Sequence, residues 1–274
     1  MKKVEIKLPK KFYEAGETVD GTLIVKSNKE FSCEKIWITF HGLEESRITI
    51  GSGRHKHDII EQRDHVQEQK IIAEKTTLQE GENIYGFSFK IPDGSPATFV
   101  GAYSSIRYHI EAKIEISWAF DKSDKQEVRV REEHAPPDIQ SENATIEEEG
   151  IIIARLEVPD IRIIPGKRFP IKLCIDPDLK MRGVRVEILQ IEEVSPQGRK
   201  RKSVRTVSEI YIEDSEMSRG TWFEPTLLTY PAWPFPFKSD LIKIQFELKV
   251  TLDIPWKFDK EMRVPVSIMD NTQE

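Results

Sequence analysis

The chain has 274 residues, enough for two domains of ordinary size, each able to bury a core without disulfides or metal. Its 41 basic and 47 acidic residues leave a formal net charge of −6, which excludes a general nucleic-acid binder, because such a protein needs a basic excess to displace counterions. The 38% hydrophobic content is interrupted by polar residues throughout, the pattern of half-exposed sheets and not of a helix-covered parallel sheet.

The N-terminus, Met1-Lys2-Lys3-Val4-Glu5, lacks the apolar core of a secretion signal, and no apolar run approaches the ~18 residues of a membrane span. A soluble chain in a reduced cytoplasm is expected, with any membrane contact peripheral. The two cysteines, Cys33 and Cys174, fall in different halves and argue against a disulfide framework. Charged residues reach 32%, and the richness in Lys, Glu and Ile is a balance seen in thermophiles.

In chain order, Ala15-Gly16 marks a first turn, and Ile36 to Phe40 alternates, placing Ile36, Ile38 and Phe40 on one face of a strand. Gly81-Glu82 is a turn before Phe87-Ser88-Phe89-Lys90-Ile91, a second alternating strand ended by Pro92-Asp93-Gly94. Ile106 to Trp118 reads as one long strand with Ile106, Tyr108, Ile110, Ala112, Ile114 and Ile116 on a shared face. Pro165-Gly166 is a later turn, and Val184 to Ile191 and Leu241 to Leu252 repeat the strand pattern. No long stretch combines helical periodicity with caps.

Three blocks recur in the same order. Pro9, Gly16, Leu23 and Val25 correspond without a gap to Pro159, Gly166, Leu173 and Ile175. Lys35-Ile36-Trp37-Ile38 through Glu44-Glu45 corresponds to Gly183-Val184-Arg185-Val186 through Glu192-Glu193. Trp118-Ala119-Phe120-Asp121-Lys122 corresponds to Trp256-Lys257-Phe258-Asp259-Lys260. The period is about half the chain, so one domain is duplicated and the chain is not a solenoid. His134-Ala135-Pro136-Pro137 cannot continue a ladder, and Ser141 to Glu149 is polar and acidic. The predicted architecture is all-β: two tandem antiparallel, immunoglobulin-like β-sandwiches over residues 1–135 and 151–274, joined by a linker at 136–150.

No nucleophile elbow, phosphate-cradling glycine loop, zinc-protease helix or paired-cysteine motif is present. Cys33 and Cys174 lie in strand patterns and read as structural. His55, His57, Asp58, Glu61, Asp64 and His65 crowd one polar stretch, which reads as a solvated loop between strands, with a His-x-His chelate as the chemical alternative. Arg199-Lys200-Arg201-Lys202 follows Pro196-Gln197-Gly198 and reads as a basic hairpin tip, either solvated or facing an acidic partner or anionic membrane surface. Tyr230, Trp233, Phe235 and Phe237 lie in a proline-rich loop, where they either cap a sandwich end or form an exposed interaction patch.

Several segments together resemble the arrestin family, including its α-arrestin and retromer-subunit branches. Tyr13-Glu14-Ala15-Gly16-Glu17-Thr18-Val19-Asp20-Gly21 is similar to the family's early turn and strand, and Ile36 to Gly42 to its next strand. Gly81 through Pro92 resembles its "G-x-h-x-F-x-F-x-I/L-P", and Ser105 through Ala112 its "I-R-Y-x-I/V-x-A". The second half repeats the plan with Pro165-Gly166-Lys167 and Asp240 to Leu252. The resemblance implies that Glu44 to Ile72 is the partner-probing finger loop. It places Lys7, Lys10 and Lys11 near the family's phosphate-sensing lysines, although Glu5, Pro9 and Glu17-Thr18 break that pattern. Arg131 stands nearest the family's buried polar-core arginine, but the loop that should supply its carboxylates, Thr229 to Phe237, contains no acid. A phosphate-triggered ionic switch is therefore not expected. The chain stops at Glu274, without the tail that carries coat-protein or ubiquitin-ligase motifs in relatives, so those roles are not expected either.

The expected function is that of a non-catalytic adaptor or scaffold, with no cofactor. It would bind a protein partner, such as the cytoplasmic part of a membrane protein, in trafficking or signalling. The alternative is a small-ligand-binding sandwich regulating an enzyme or transporter, which needs a concave apolar pocket with converging polar groups.

Overall fold

The computed structural model describes residues 2–116, 120–131, 138–230 and 233–269. The chain forms two compact units, Met1–Glu133 with Ser195–Arg199, and His134–Val194 with Lys200–Glu274. No α-helix occurs among the described residues.

The first unit contains β1 (Lys2–Lys7), β2 (Phe12–Glu14), β3 (Thr18–Ser27), β4 (Phe31–Ile50), β5 (His57–Leu78), β6 (Gly81–Lys90), β7 (Phe99–Val100), β8 (Ser104–Glu115) and β9 (Lys122–Arg131). One sheet has the order β1-β3-β6, the other β2-β9-β8-β4-β5 with β7 beside β8. All pairings are antiparallel except the short β2–β9 pairing, which is parallel. Alternation decides the faces: Ile36, Ile38 and Phe40 of β4 and Ile106, Tyr108 and Ile110 of β8 are fully buried, as are Leu23 of β3 and Phe89 of β6. The two sheets meet through rings. Phe40 lies 5.7 Å from Phe89 of the other sheet between centroids, and 6.3 Å from Tyr108 on the neighbouring strand of its own, the spacing of favourable aromatic pairs. The Tyr108 hydroxyl donates to the Pro96 carbonyl at 2.8 Å, so this ring is buried without stranding its polar end.

The stretch from Glu44 to Ile72 corrects the sequence reading. It is not a loop. β4 and β5 run on as a hairpin of 20 and 22 residues, closed by a short turn at 51–56. Two features conceal it in the sequence. Glu44 and Ser46 take core-facing positions on β4, both fully buried, where an apolar residue would signal a strand. β5 is an edge strand paired only with β4, and most of its side chains meet water on both faces. The apolar anchors resume beyond, with Ile48 and Ile59 buried and paired across the hairpin. Gly51 makes the turn possible: its φ is +84°, and a Cβ there would sit 2.3 Å from the His55 carbonyl oxygen.

The second unit contains β10 (Glu142–Glu148), β11 (Ile151–Val158), β12 (Arg162–Ile163), β13 (Arg168–Pro170), β14 (Lys172–Ile175), β15 (Gly183–Val194), β16 (Arg201–Glu213), β17 (Thr226–Leu228), β18 (Phe237–Lys238), β19 (Ile242–Asp253) and β20 (Lys260–Ile268). Its large sheet has the order β12-β20-β19-β15-β16 with β18 beside β19. The remaining strands form β10-β11-β14 and β13-β17. The large-sheet order matches the first unit strand for strand, including a short parallel strand on the last one, β2 on β9 and β12 on β20. The repeated Gly16 and Gly166 have the same backbone, φ +82° and +85°.

Within the stretch read as a linker, Glu142–Glu148 is strand β10, antiparallel to β11. Ile146 is its one buried side chain, and the rest of the strand is exposed or half-buried, which is why its composition reads as a linker. The remainder of the boundary, Glu132 to Pro137, lies outside the described residues, as does Trp118 of the third repeat block.

Candidate functional site

The residues read from the sequence do not converge on one cleft. Cys33 is buried on β4 and Cys174 is half-buried on β14, and neither forms a disulfide. Among the described residues no group of three or more His, Cys, Asp or Glu side chains is placed to hold a metal.

The acid- and histidine-rich stretch is divided by the hairpin. His55 and His57 stand exposed at its tip. Asp58 accepts from the Thr49 hydroxyl at 2.7 Å, Asp64 meets His41 Nε2 at 2.7 Å, and His65 Nε2 lies 3.0 Å from the buried Glu44 carboxylate. These are cross-strand pairs along β4 and β5, not a chelate. Directly opposite His41 on β8 is His109, their rings 5.3 Å apart and edge to face. Burial, then the charge of Lys125 and then His41, push the His109 imidazole down to about 4, so it is neutral at neutral pH.

Lys7, Lys10 and Lys11 are exposed. Lys10 is ion-paired with Glu17 and lies 4.8 Å from the centre of the Tyr13 ring. The hydrogen bond from Lys10, with another from the Glu14 backbone, holds Glu17 below the usual carboxylate range. Arg131, at the end of β9, is exposed, with its guanidinium 3.7 Å from the centre of the Phe12 ring. Arg129 lies over the same ring at 5.9 Å. An exposed guanidinium stacked on an aromatic face is a local contact of the β2–β9 edge.

Arg199, at the end of the Ser195–Arg199 stretch of the first unit, and Lys200, Arg201 and Lys202 of the second are exposed at and beside the β15–β16 turn, with Lys202 3.6 Å from Glu193 across it. The aromatic loop divides. Trp233 stacks on the buried Phe246 at 6.1 Å and 12°, and Phe235 and Phe237 are half-buried, Phe237 pairing onto Ile244 of β19. Tyr230 is 66% exposed. Glu187 on β15 is buried with Lys249 of β19 at 2.9 Å and accepts from the Thr206 hydroxyl at 3.1 Å. Burial raises its carboxyl, but those two partners outweigh it and hold Glu187 below the usual range.

Three exposed rings were visible in the sequence only as repeat markers. Phe120 is 91% exposed, Trp256 100% and Phe258 96%, at the turns joining the last two strands of each unit. The missed signal is local. Pro255-Trp256 occupies a turn whose second position takes a positive φ, where glycine or asparagine is usual.

The family model described as Arrestin (or S-antigen), N-terminal domain, matches residues 3–135. The model described as Arrestin (or S-antigen), C-terminal domain, matches residues 148–273. With two sandwiches of matching strand order beneath them, these matches show that the chain belongs to the arrestin family and carries its two domains in tandem.

Proposed function

We propose that this chain is a non-catalytic adaptor that holds the cytoplasmic part of a membrane protein during trafficking or signalling. The arrestin family is in general one of non-enzymatic adaptors and scaffolds, and the two family matches carry the reading. Sandwich domains at 1–135 and 151–274, flanking 136–150, would form its two binding modules. The exposure of His55 and His57, of Arg199 to Lys202 and of Tyr230 in loops or at the strand ends beside them supports their use as contacts, since loops on a rigid sheet scaffold are where binding side chains concentrate. No helix among the described residues is long and apolar enough to cross a membrane, so membrane association would come through a partner or at the surface.

The test is purification of the tagged full-length chain from detergent-solubilised cells of its source, with partners identified by mass spectrometry. A membrane protein recovered in fixed ratio, bound directly when both are remade pure, is the expected result. Turnover of a hydrolase or transferase substrate that Cys33→Ala, Cys174→Ala or His65→Ala abolishes would overturn the reading.

A further inference from the structure

We propose that the free edge of β5 pairs antiparallel with β5 of a second copy of this chain. The two-fold axis passes between His65 and Val66, setting Arg63 opposite Glu68 of the second copy and Glu61 opposite its Lys70. The inference goes beyond the adaptor reading and does not depend on it.

β5 runs for 22 residues and pairs only with β4, so its other edge carries no strand among the described residues. Such an edge offers backbone donors and acceptors to an added strand, and the side chains decide which strand fits.

Face parity selects first. Cross-strand partners point to the same face, so an unbroken strand laid on its own reversed copy matches odd positions with odd and even with even. β5 is not unbroken. Leu43 faces Asp64 and Gly42 faces Val66, which leaves His65 as an extra residue. His65 reaches the buried Glu44, and a Val66 methyl lies 2.9 Å from where a Cβ on Gly42 would stand, so both point to the core side. Before the bulge, Glu61 and Arg63 share that side, opposite Ser46 and Glu44. After it, Glu68 and Lys70 share it, opposite Phe40 and Ile38. Odd positions on one side of the bulge thus match even positions on the other, as the Arg63–Glu68 register requires. With the bulge at the axis, both copies carry it at the same level and stay in step. An unrelated straight strand falls out of step there, with its side chains turned to the wrong face.

Charge selects next. Arg63 lies 3.6 Å from Glu61 and Lys70 3.3 Å from Glu68 along the strand. In this register each doublet meets the other reversed, and every neighbour carries the opposite sign. The outward face then matches Ile60 with Ile71, which is 51% exposed, and Gln62 with Gln69. A slip of two residues brings Glu61 opposite Glu68 in one direction and Arg63 opposite Lys70 in the other, and like charges directly opposite destabilise a pair. Each favourable contact occurs twice by symmetry. Gln197 of the Ser195–Arg199 stretch donates its backbone N–H to the Glu61 carboxylate at 2.6 Å, so the central Arg63–Glu68 pair is the one to test.

The test is sedimentation of the purified full chain over a concentration series. The wild type is expected to form a dimer that added salt weakens. Arg63→Glu and Glu68→Arg each set like charges opposite one another twice, and each is expected to raise the dimer dissociation constant by about tenfold or more. Mixed in equal amounts, the two variants are expected to dimerise again, because both contacts in the mixed pair are then opposite in sign. Hydrogen exchange of the wild type, which needs no variant, is expected to slow across residues 60–71 as concentration rises. A wild type that stays monomeric at every concentration overturns the proposal. So does a dimer that neither change weakens, a mixture that does not recover, or slowed exchange only outside β5.

Discussion

His109 shows how a single position couples the sheet to pH. Its folded pKa is pushed down to about 4, below the unperturbed value of ~6.5. Between these values the unfolded chain takes up the proton first. Stability from this group is therefore complete above about pH 6.5 and is lost as pH falls toward 4, with a slope of at most about 1.4 kcal/mol per pH unit. Urea unfolding of the wild type and His109→Gln at pH 7 and pH 5 checks this: the wild type loses more stability on acidification than the variant. Arg131 provides a contrasting case. Exposed and stacked on Phe12, it contributes a cation–π contact, so Arg131→Ala is expected to cost about 0.5–1 kcal/mol in the same assay. A loss of several kcal/mol would mean that it works as a buried, paired charge.

Among the elements, the aromatic loop before β19 and the β4–β5 hairpin show how local composition and tertiary setting diverge. The loop reads either as a cap on a sandwich end or as an exposed patch; Trp233 folds onto Phe246 and leaves Tyr230 outside. Trp233→Ser is therefore expected to destabilise by about 1–3 kcal/mol, from lost burial and stacking together, while Tyr230→Ser stays within about 0.5 kcal/mol. Thermal melts of the two variants decide it, and equal effects would show that the stacking is not a structural cap. In the hairpin, a charged, two-sided edge strand persists because β4 supplies its ladder, and its charges also discourage pairing with an unrelated sheet.

At the scale of the whole molecule, duplication means that equivalent residues serve separate cores. Ile38 and Val186 occupy matching places on β4 and β15, and both are fully buried. Ile38→Ala is expected to cost about 2–5 kcal/mol, with Val186→Ala toward the low end of that range because less volume is removed. Hydrogen exchange, read peptide by peptide, should show each variant losing protection mainly in its own unit. Loss spread evenly through both would mean that the repeats share one cooperative core.

The sequence by itself determined the all-β class, the duplication and the long inward-facing strands, because period-two burial of Ile36, Ile38 and Phe40 or of Ile106, Tyr108 and Ile110 is written in residue type. The family was legible for the same reason: its motifs are core strands and glycine turns. What the tertiary structure alone decided is which polar and apolar residues break that rule. Glu44 is buried opposite His65 because a partner strand brings the imidazole to it, and β5 is a strand because β4 is beside it. Trp256 and Phe258, apolar by type, stand in water because a braced turn carries them past the end of the sheet. Burial of a charge and exposure of a ring both depend on neighbours distant in sequence, and no local spacing encodes those neighbours.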